Sequence, residues 1–255
     1  MPATRVHFLP ERVTAESLAG STCIVVDVLR ATTTITAALA AGARDVLPLL
    51  TIDEARQAAG KLPAGSFVLG GERSGGKIAG FDLGNSPAEY TPATVGGKTL
   101  IITTTNGTKA LLYARSAQRV FLGSFVNLSA VCRIAAAGDQ VDILCAGTDG
   151  QITREDVLLA GAIVSRLAEQ AAPNNDQAIL ARDAWRHVSA THGDDLAALR
   201  RAVQAELRNT QGGRNLIGMG LDDDLLAAGD IDRYAVVPEF NAATGRITNK
   251  TMNAE

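Results

Sequence analysis

This sequence is poor in several features, and each scarcity excludes something. Aromatic residues are only 4% of it and no run of basic side chains occurs, so the stacking platforms and cationic stripe of a nucleic-acid binder are missing. The net charge is only −3, so a small anionic substrate would need a locally positive pocket. Cys23, Cys132 and Cys145 are an odd number without CxxC spacing. They fit neither a disulfide framework nor a structural zinc site, and they suit a reducing compartment. No stretch approaches the ~18 uninterrupted apolar residues of a membrane span, and residues 1–11 hold no apolar signal core. The expectation is therefore a cytoplasmic protein with neither a membrane nor a nucleic-acid partner. His7, His187 and His192 show no paired metal-ligand spacing and are expected to be structural or exposed.

What is abundant is apolar: 46% of 255 residues, enough for a sizeable core. Short β-branched runs alternate with Ala/Leu-rich stretches. Strands are predicted at 22–29, 45–49, 67–70, 99–103, 119–122, 141–146 and 235–237. Helices are predicted at 33–41, 51–59, 108–114, 128–137, 154–170, 176–190, 195–207 and 221–228, with Thr51 and Glu54 spaced as a capping box. Gly212-Gly213 is expected to be a turn. The pattern predicts an α/β fold with layered α/β/α packing around a largely parallel or mixed sheet. One compact body would satisfy it. So would two lobes, 1–122 and 123–255, the second with a helical insertion; no linker composition marks a boundary near Gly123.

The unusual residues gather at strand ends. Asp27 and Arg30 close the first predicted strand, Glu72 and Arg73 another, Thr103 to Thr108 a third, and Cys145 to Gly147 a fourth that leads to Glu155 and Asp156. In a parallel sheet these ends share one edge, where ligands bind. Asp27 ends an apolar run and would be partly desolvated, so it needs a cation or hydrogen-bond donors; a divalent metal and a salt bridge to Arg30 both answer that need. Arg30, Thr32 and Thr33 sit where a strand turns into a helix, a place for anion binding or for simple capping. The glycine-rich loop around Glu72, Arg73 and Lys77 is either a surface turn or a ligand-binding segment. Asp82 suits a turn or a supporting acid, and Asn85 or Ser86 would cap a short Pro-started helix. Thr104, Thr105, Asn106, Gly107 and Thr108 have the composition of an oxyanion cradle, without the Walker pattern. Glu155 and Asp156 open a helix, where capping explains them as well as metal binding or base chemistry does. Cys145 ends a buried strand and is expected to be inert packing rather than a nucleophile.

Taken together, Val26 to Thr34, Gly71-Glu72-Arg73 with Lys77, Gly80 to Pro87, Thr104 to Thr108, and Cys145-Ala146-Gly147 with Glu155-Asp156 resemble the 2-phosphosulfolactate phosphatase family, in order along the chain. The segment from Pro173 to Gly220 matches it only loosely, and Asp149 lies outside the shared pattern. The resemblance implies a family-specific α/β fold and Mg²⁺-dependent hydrolysis of a small anionic phosphorylated acid to 3-sulfolactate and phosphate, a step of coenzyme M biosynthesis in methanogens. It places Asp27, Arg30, Glu72, Arg73 and Asn106 in catalysis. Substrate binding would fall to Thr32, Thr33, Lys77, Asn85, Ser86, Thr104, Thr105, Gly107, Thr108, Cys145 and Gly147. Asp27 and Glu72 would hold the metal, with Glu155 and Asp156 as further candidate ligands. Attack by a metal-activated water is the expected route, with a covalent route through Asp27 left open, and a homodimer is also left open. The rival readings are the same chemistry on phosphoglycolate or phospholactate, and a non-catalytic sensor of phosphorylated acids.

Overall fold

The computed structural model describes residues 3–168, 172–192 and 195–250. Its strands are β1 (Ala3–His7), β2 (Thr22–Val26), β3 (Asp45–Pro48), β4 (Phe67–Arg73), β5 (Gly76–Lys77), β6 (Thr99–Thr103), β7 (Arg119–Gly123), β8 (Gln140–Cys145), β9 (Ala172–Pro173), β10 (Pro238–Asn241) and β11 (Arg246–Asn249). Its helices are α1 (Ala15–Leu18), α2 (Ala31–Ala40), α3 (Ile52–Ala59), α4 (Pro92–Val95), α5 (Gly107–Ala114), α6 (Leu128–Ala135), α7 (Arg154–Leu167), α8 (Asp176–Ser189), α9 (Leu196–Asn209), α10 (Gln211–Gly218) and α11 (Asp222–Ala228). The predicted α/β layering with a mostly parallel sheet is what the chain builds. The capping box of Thr51 and Glu54 opens α3 as its spacing requires. No helix among the described residues is long and apolar enough to cross a membrane.

Three expectations need correcting. The predicted strand at 235–237 gives way to the β10–β11 hairpin just beyond it. The Gly212-Gly213 turn is the first part of helix α10. The predicted strand 22–29 stops at Val26, because Asp27 to Arg30 turn to start α2. The last residues of the helix predicted over 154–170 lie outside the described residues.

A single sheet runs in the order β5-β4-β6-β3-β11-β10-β7-β2-β8-β1-β9. It holds two parallel blocks, β4-β6-β3 and β7-β2-β8-β1-β9. The C-terminal hairpin lies between them, β10 antiparallel to β7 and β11 antiparallel to β3. Residues 238–249 thus return to pair with two strands of the chain's first half, β3 and β7. Because β10 and β11 are also antiparallel to each other, β3 and β7 run in opposite senses. In a flat sheet the carboxyl ends of the two blocks would lie on opposite edges. Contacts between the blocks show that they meet: Thr34 Oγ1 donates to the Asn85 carbonyl at 2.8 Å, and the Asp149 amide to Asn106 Oδ1 at 3.2 Å. The sheet therefore curls through the hairpin, where β11 and β3 share one residue pair and strand twist accumulates.

Alternation along the buried strands separates the cores. Cys23 and Val25 of β2 join one cluster, Ile24 and Val26 another, so TCIVV is buried throughout because both faces are covered. The first cluster is shared by both blocks, α2, α5 and the hairpin, through Ile35, Leu111, Leu100, Leu122, Phe240 and Ile247. Helices α6 to α9 cover the opposite face of the β2 block. Helix α3 covers the β4 block.

Candidate active site

The turn between β2 and α2 is tied to itself. Thr32 Oγ1 donates to the Asp27 carbonyl at 2.8 Å and accepts from the Asp27 amide at 3.1 Å; Thr33 Oγ1 donates to the Val28 carbonyl at 2.8 Å. Thr32 and Thr33 thus shape this turn, and neither lines the cavity onto which it opens. The turn aims Asp27 and Arg30 into a cavity of about 580 Å³.

Asp27 is 7% exposed, and its Oδ1 accepts from the Ala31 amide at 3.2 Å. Burial lifts its pKa from the ordinary 3.8 to about 7; the Ala31 bond and the Arg30 charge oppose this, while the charges of Glu72 and Glu155 reinforce it. Arg30 donates to Asp224 Oδ2 at 2.7 Å and to the Gly75 carbonyl at 2.8 Å. Asp224, from α11, also accepts from Ser86 Oγ at 2.5 Å, so Ser86 supports the arginine's partner and does not line the cavity.

The far wall comes from the other block. Glu72 Oε1 accepts from the Thr105 amide at 2.7 Å, and Oε2 from the Gly75 amide at 2.8 Å and Thr105 Oγ1 at 3.2 Å. Asn85, Thr104, Thr105 and Asn106 complete this wall, and the Oδ1 of Asn85 is buried without a hydrogen-bond partner. Gly107 lies beside Asp27 and Ala31, and an added Cβ would collide with both. Thr108 bonds Thr104 through its amide and hydroxyl, within the first turn of α5.

Arg73, Lys77, Cys145 and Gly147, like Ser86, lie away from the cavity. Arg73 and Lys77 face a separate cleft: Glu72 and Arg73 are neighbours on a strand, so their side chains take opposite faces. Cys145 is wholly buried and burial pushes its thiol well up, as for Cys23 and Cys132; all three are free thiols. Gly147 serves structure, donating its amide to Asp156 Oδ2 at 3.0 Å.

The four expected metal ligands separate in the same way. Both oxygens of Asp156 are taken, Oδ1 by the Val28 amide at 2.9 Å, Oδ2 by Gly147 and by Thr153 Oγ1 at 3.3 Å. Both oxygens of Glu72 are taken by amides. Glu155 keeps one buried oxygen, Oε2, without a partner, and Asp27 faces the cavity. Burial raises the pKa of Glu155 and Asp156, and the charges of Asp27 and Glu155 raise Asp156 further. Among the described residues no three His, Cys, Asp or Glu side chains form a ready metal cage. Crowded, desolvated carboxylates with one bare oxygen nevertheless fit a hard cation. Mg²⁺ in particular takes one or two carboxylates and completes its shell with water and phosphate oxygens.

The third wall is helical and was missed from sequence. Helix α10 contributes Gly212, Arg214 and Asn215, and the loop after β8 contributes Thr148 and Asp149. Arg214 bonds the Asn209 carbonyl at 2.5 Å and Gln211 Oε1 at 3.1 Å; it forms no ion pair among the described residues, and its charge opposes the effect of burial on Glu155. The available signal was the Gly212-Gly213 pair. A Cβ on Gly212 would strike the Glu155 carboxylate, and one on Gly213 the Leu207 carbonyl.

Comparison with known proteins points the same way as the geometry. The sequence model of the family described as 2-phosphosulpholactate phosphatase matches residues 7–243. A Symbiobacterium thermophilum protein named "Probable 2-phosphosulfolactate phosphatase" is 42% identical over 229 residues, 89% of this chain and 94% of that one. Two others of the same name come from Pseudothermotoga lettingae (41% over 235 residues, 92% and 94%) and Thermotoga maritima (38% over 217 residues, 85% and 88%).

Proposed function

This chain belongs to the 2-phosphosulfolactate phosphatase family, and from that premise we propose that it hydrolyses 2-phosphosulfolactate to sulfolactate and phosphate with Mg²⁺. The observation that carries the proposal is the meeting of Asp27, Arg30 and the Thr104–Asn106 wall, from opposite blocks of the sheet, around one polar cavity. Asp27 and the bare oxygen of Glu155 would hold Mg²⁺, which when bound draws charge from the phosphate and makes a bound water more acidic.

The chain's own groups do the rest. Asp27, ionised beside a bound cation, would orient the attacking water toward the phosphate. Arg30 is fixed by Asp224 and Gly75, which leaves further N–H donors for phosphate oxygens. Thr104, Thr105 and Asn106 present polar groups to the transferring phosphoryl group. Arg30 is already paired with a carboxylate, whereas Arg214 forms no ion pair among the described residues, so Arg214 at the mouth suits the sulfonate or carboxylate of the substrate. Three free, buried thiols accord with a reducing compartment, and we place the protein in the cytoplasm.

Phosphate release from 2-phosphosulfolactate, phosphoglycolate and phospholactate, each with Mg²⁺ and with excess chelator, tests this reading. The expected result is the highest kcat/KM for 2-phosphosulfolactate and loss of turnover on chelation. Faster turnover of a carboxylate analogue would overturn the substrate, and full activity in chelator would overturn the metal.

A further inference from the structure

Arg73 and Lys77, displaced from the active cavity, are not idle surface charges. With Arg56 of α3 they surround a second cleft of about 660 Å³, which is also lined by Leu50, Thr51 and Asp53. Each cation is oriented by neutral oxygens. Arg73 donates to the carbonyls of Glu72 at 2.8 Å and Leu50 at 2.7 Å and to Thr103 Oγ1 at 2.7 Å. Lys77 Nζ donates to the Asp82 carbonyl at 2.6 Å, and Arg56 to the Ala79 carbonyl at 3.3 Å. None of the three pairs with a carboxylate among the described residues, whereas Arg5, Arg30, Arg154 and Arg246 each hold one. Glu54, the nearest acid along α3 after Asp53, turns its carboxylate to the Leu50 and Thr51 amides at 3.1 and 3.0 Å. Three cations therefore face one concavity against the single charge of Asp53, in a protein whose overall charge is −3.

We propose that this cleft is a second oxyanion-binding site, taking inorganic phosphate or the phosphate of a small phosphorylated acid. Guanidinium and ammonium groups already held in place by carbonyls bind an oxyanion with little further ordering, and a half-buried arginine such as Arg73 gives two-point contact. The cleft and the active cavity share the β4–β5 hairpin. Arg73 and Lys77 line the cleft, while Glu72 and Gly75, whose carbonyl holds Arg30, line the active cavity.

Calorimetric titration of the full chain with inorganic phosphate tests the site, using the native protein and the double variant Arg56→Gln/Lys77→Gln. Both substituted side chains are exposed and outside the active cavity, and unchanged circular dichroism and melting establish that the variant is folded. The expected result is two phosphate equivalents for the native chain and one for the variant, or a second affinity weakened roughly tenfold or more as charge-assisted contacts are lost. One equivalent in both proteins, or two in both with unchanged affinities, overturns the proposal. The titration reads no turnover, so failure here is distinct from failure of the phosphatase reading.

Discussion

At the scale of single residues, two buried carboxylates behave oppositely because their partners differ. Asp27 gains one amide and lies among other acids, so its native pKa of about 7 exceeds the ordinary 3.8. Its contribution to stability is complete below pH ~4, where it is protonated in both states, and is lost as pH rises through about 7. Asp27→Asn is expected to lower turnover roughly 10²–10⁴-fold while leaving the melting temperature unchanged or higher. In metal-free buffer the stability difference should grow from pH 5 to pH 8. Near-normal turnover in the variant would remove Asp27 from the reaction. Asp142 is the reverse case. Burial alone would raise its pKa, but bonds from His7 (2.8 Å), Arg5 (2.8 and 2.9 Å) and Gln140 (2.9 Å) outweigh burial and hold it well below the ordinary range. Its stabilisation is present above pH ~4 and lost as pH falls through the native value. Asp142→Ala should destabilise by about 3–5 kcal/mol at neutral pH, with the gap to the native protein narrowing in acid. A gap that is constant with pH, measured by denaturant unfolding, would show that packing and not charge is lost.

At the scale of elements, α10 is the instructive case. Its sequence, QGGRNLIG, opens with two glycines, which disfavour a helix, yet the helix forms because each glycine admits a neighbour. Gly213 lets the backbone of Leu207 approach, and Gly212 makes room for Glu155. Gly213→Ala meets main chain and is expected to lower thermal stability strongly. Gly212→Ala meets a movable side chain and is expected to reduce turnover while melting close to the native protein. Equal effects of the two substitutions on melting would refute this division. The β4–β5 hairpin teaches a similar lesson. Glu72 and Arg73 are adjacent in a motif, but a strand sends neighbours to opposite faces, so only Glu72 reaches the cavity. Strands β2, β3, β4, β6, β7 and β8 were legible in their β-branched runs; β1, the C-terminal hairpin and the extension of β4 through Arg73, which decides the facing, were not.

At the scale of the whole molecule, the C-terminal hairpin is the joint between two blocks of opposite sense. Phe240 and Ile247 sit in the core that both blocks share, so the hairpin's contribution extends beyond its own two strands. Phe240→Ala is expected to cost about 3–5 kcal/mol. Both blocks should unfold in one transition, monitored by far-ultraviolet circular dichroism and by Trp185 fluorescence. Two separated transitions would mean that the blocks are independent units.

Sequence by itself determined the alternation of strands and helices and the cluster of polar strand ends, because these depend on local periodicity and composition. It also determined that Asp27 would be desolvated, since the residues before it are apolar on both faces of β2. Only the tertiary structure decided that the clusters meet by curling rather than along one flat edge, and that Asp224, Arg214 and Glu155 belong with Asp27. Those facts depend on pairings between residues as far apart as Arg30 and Asp224, 194 positions in the chain, and no local pattern encodes them.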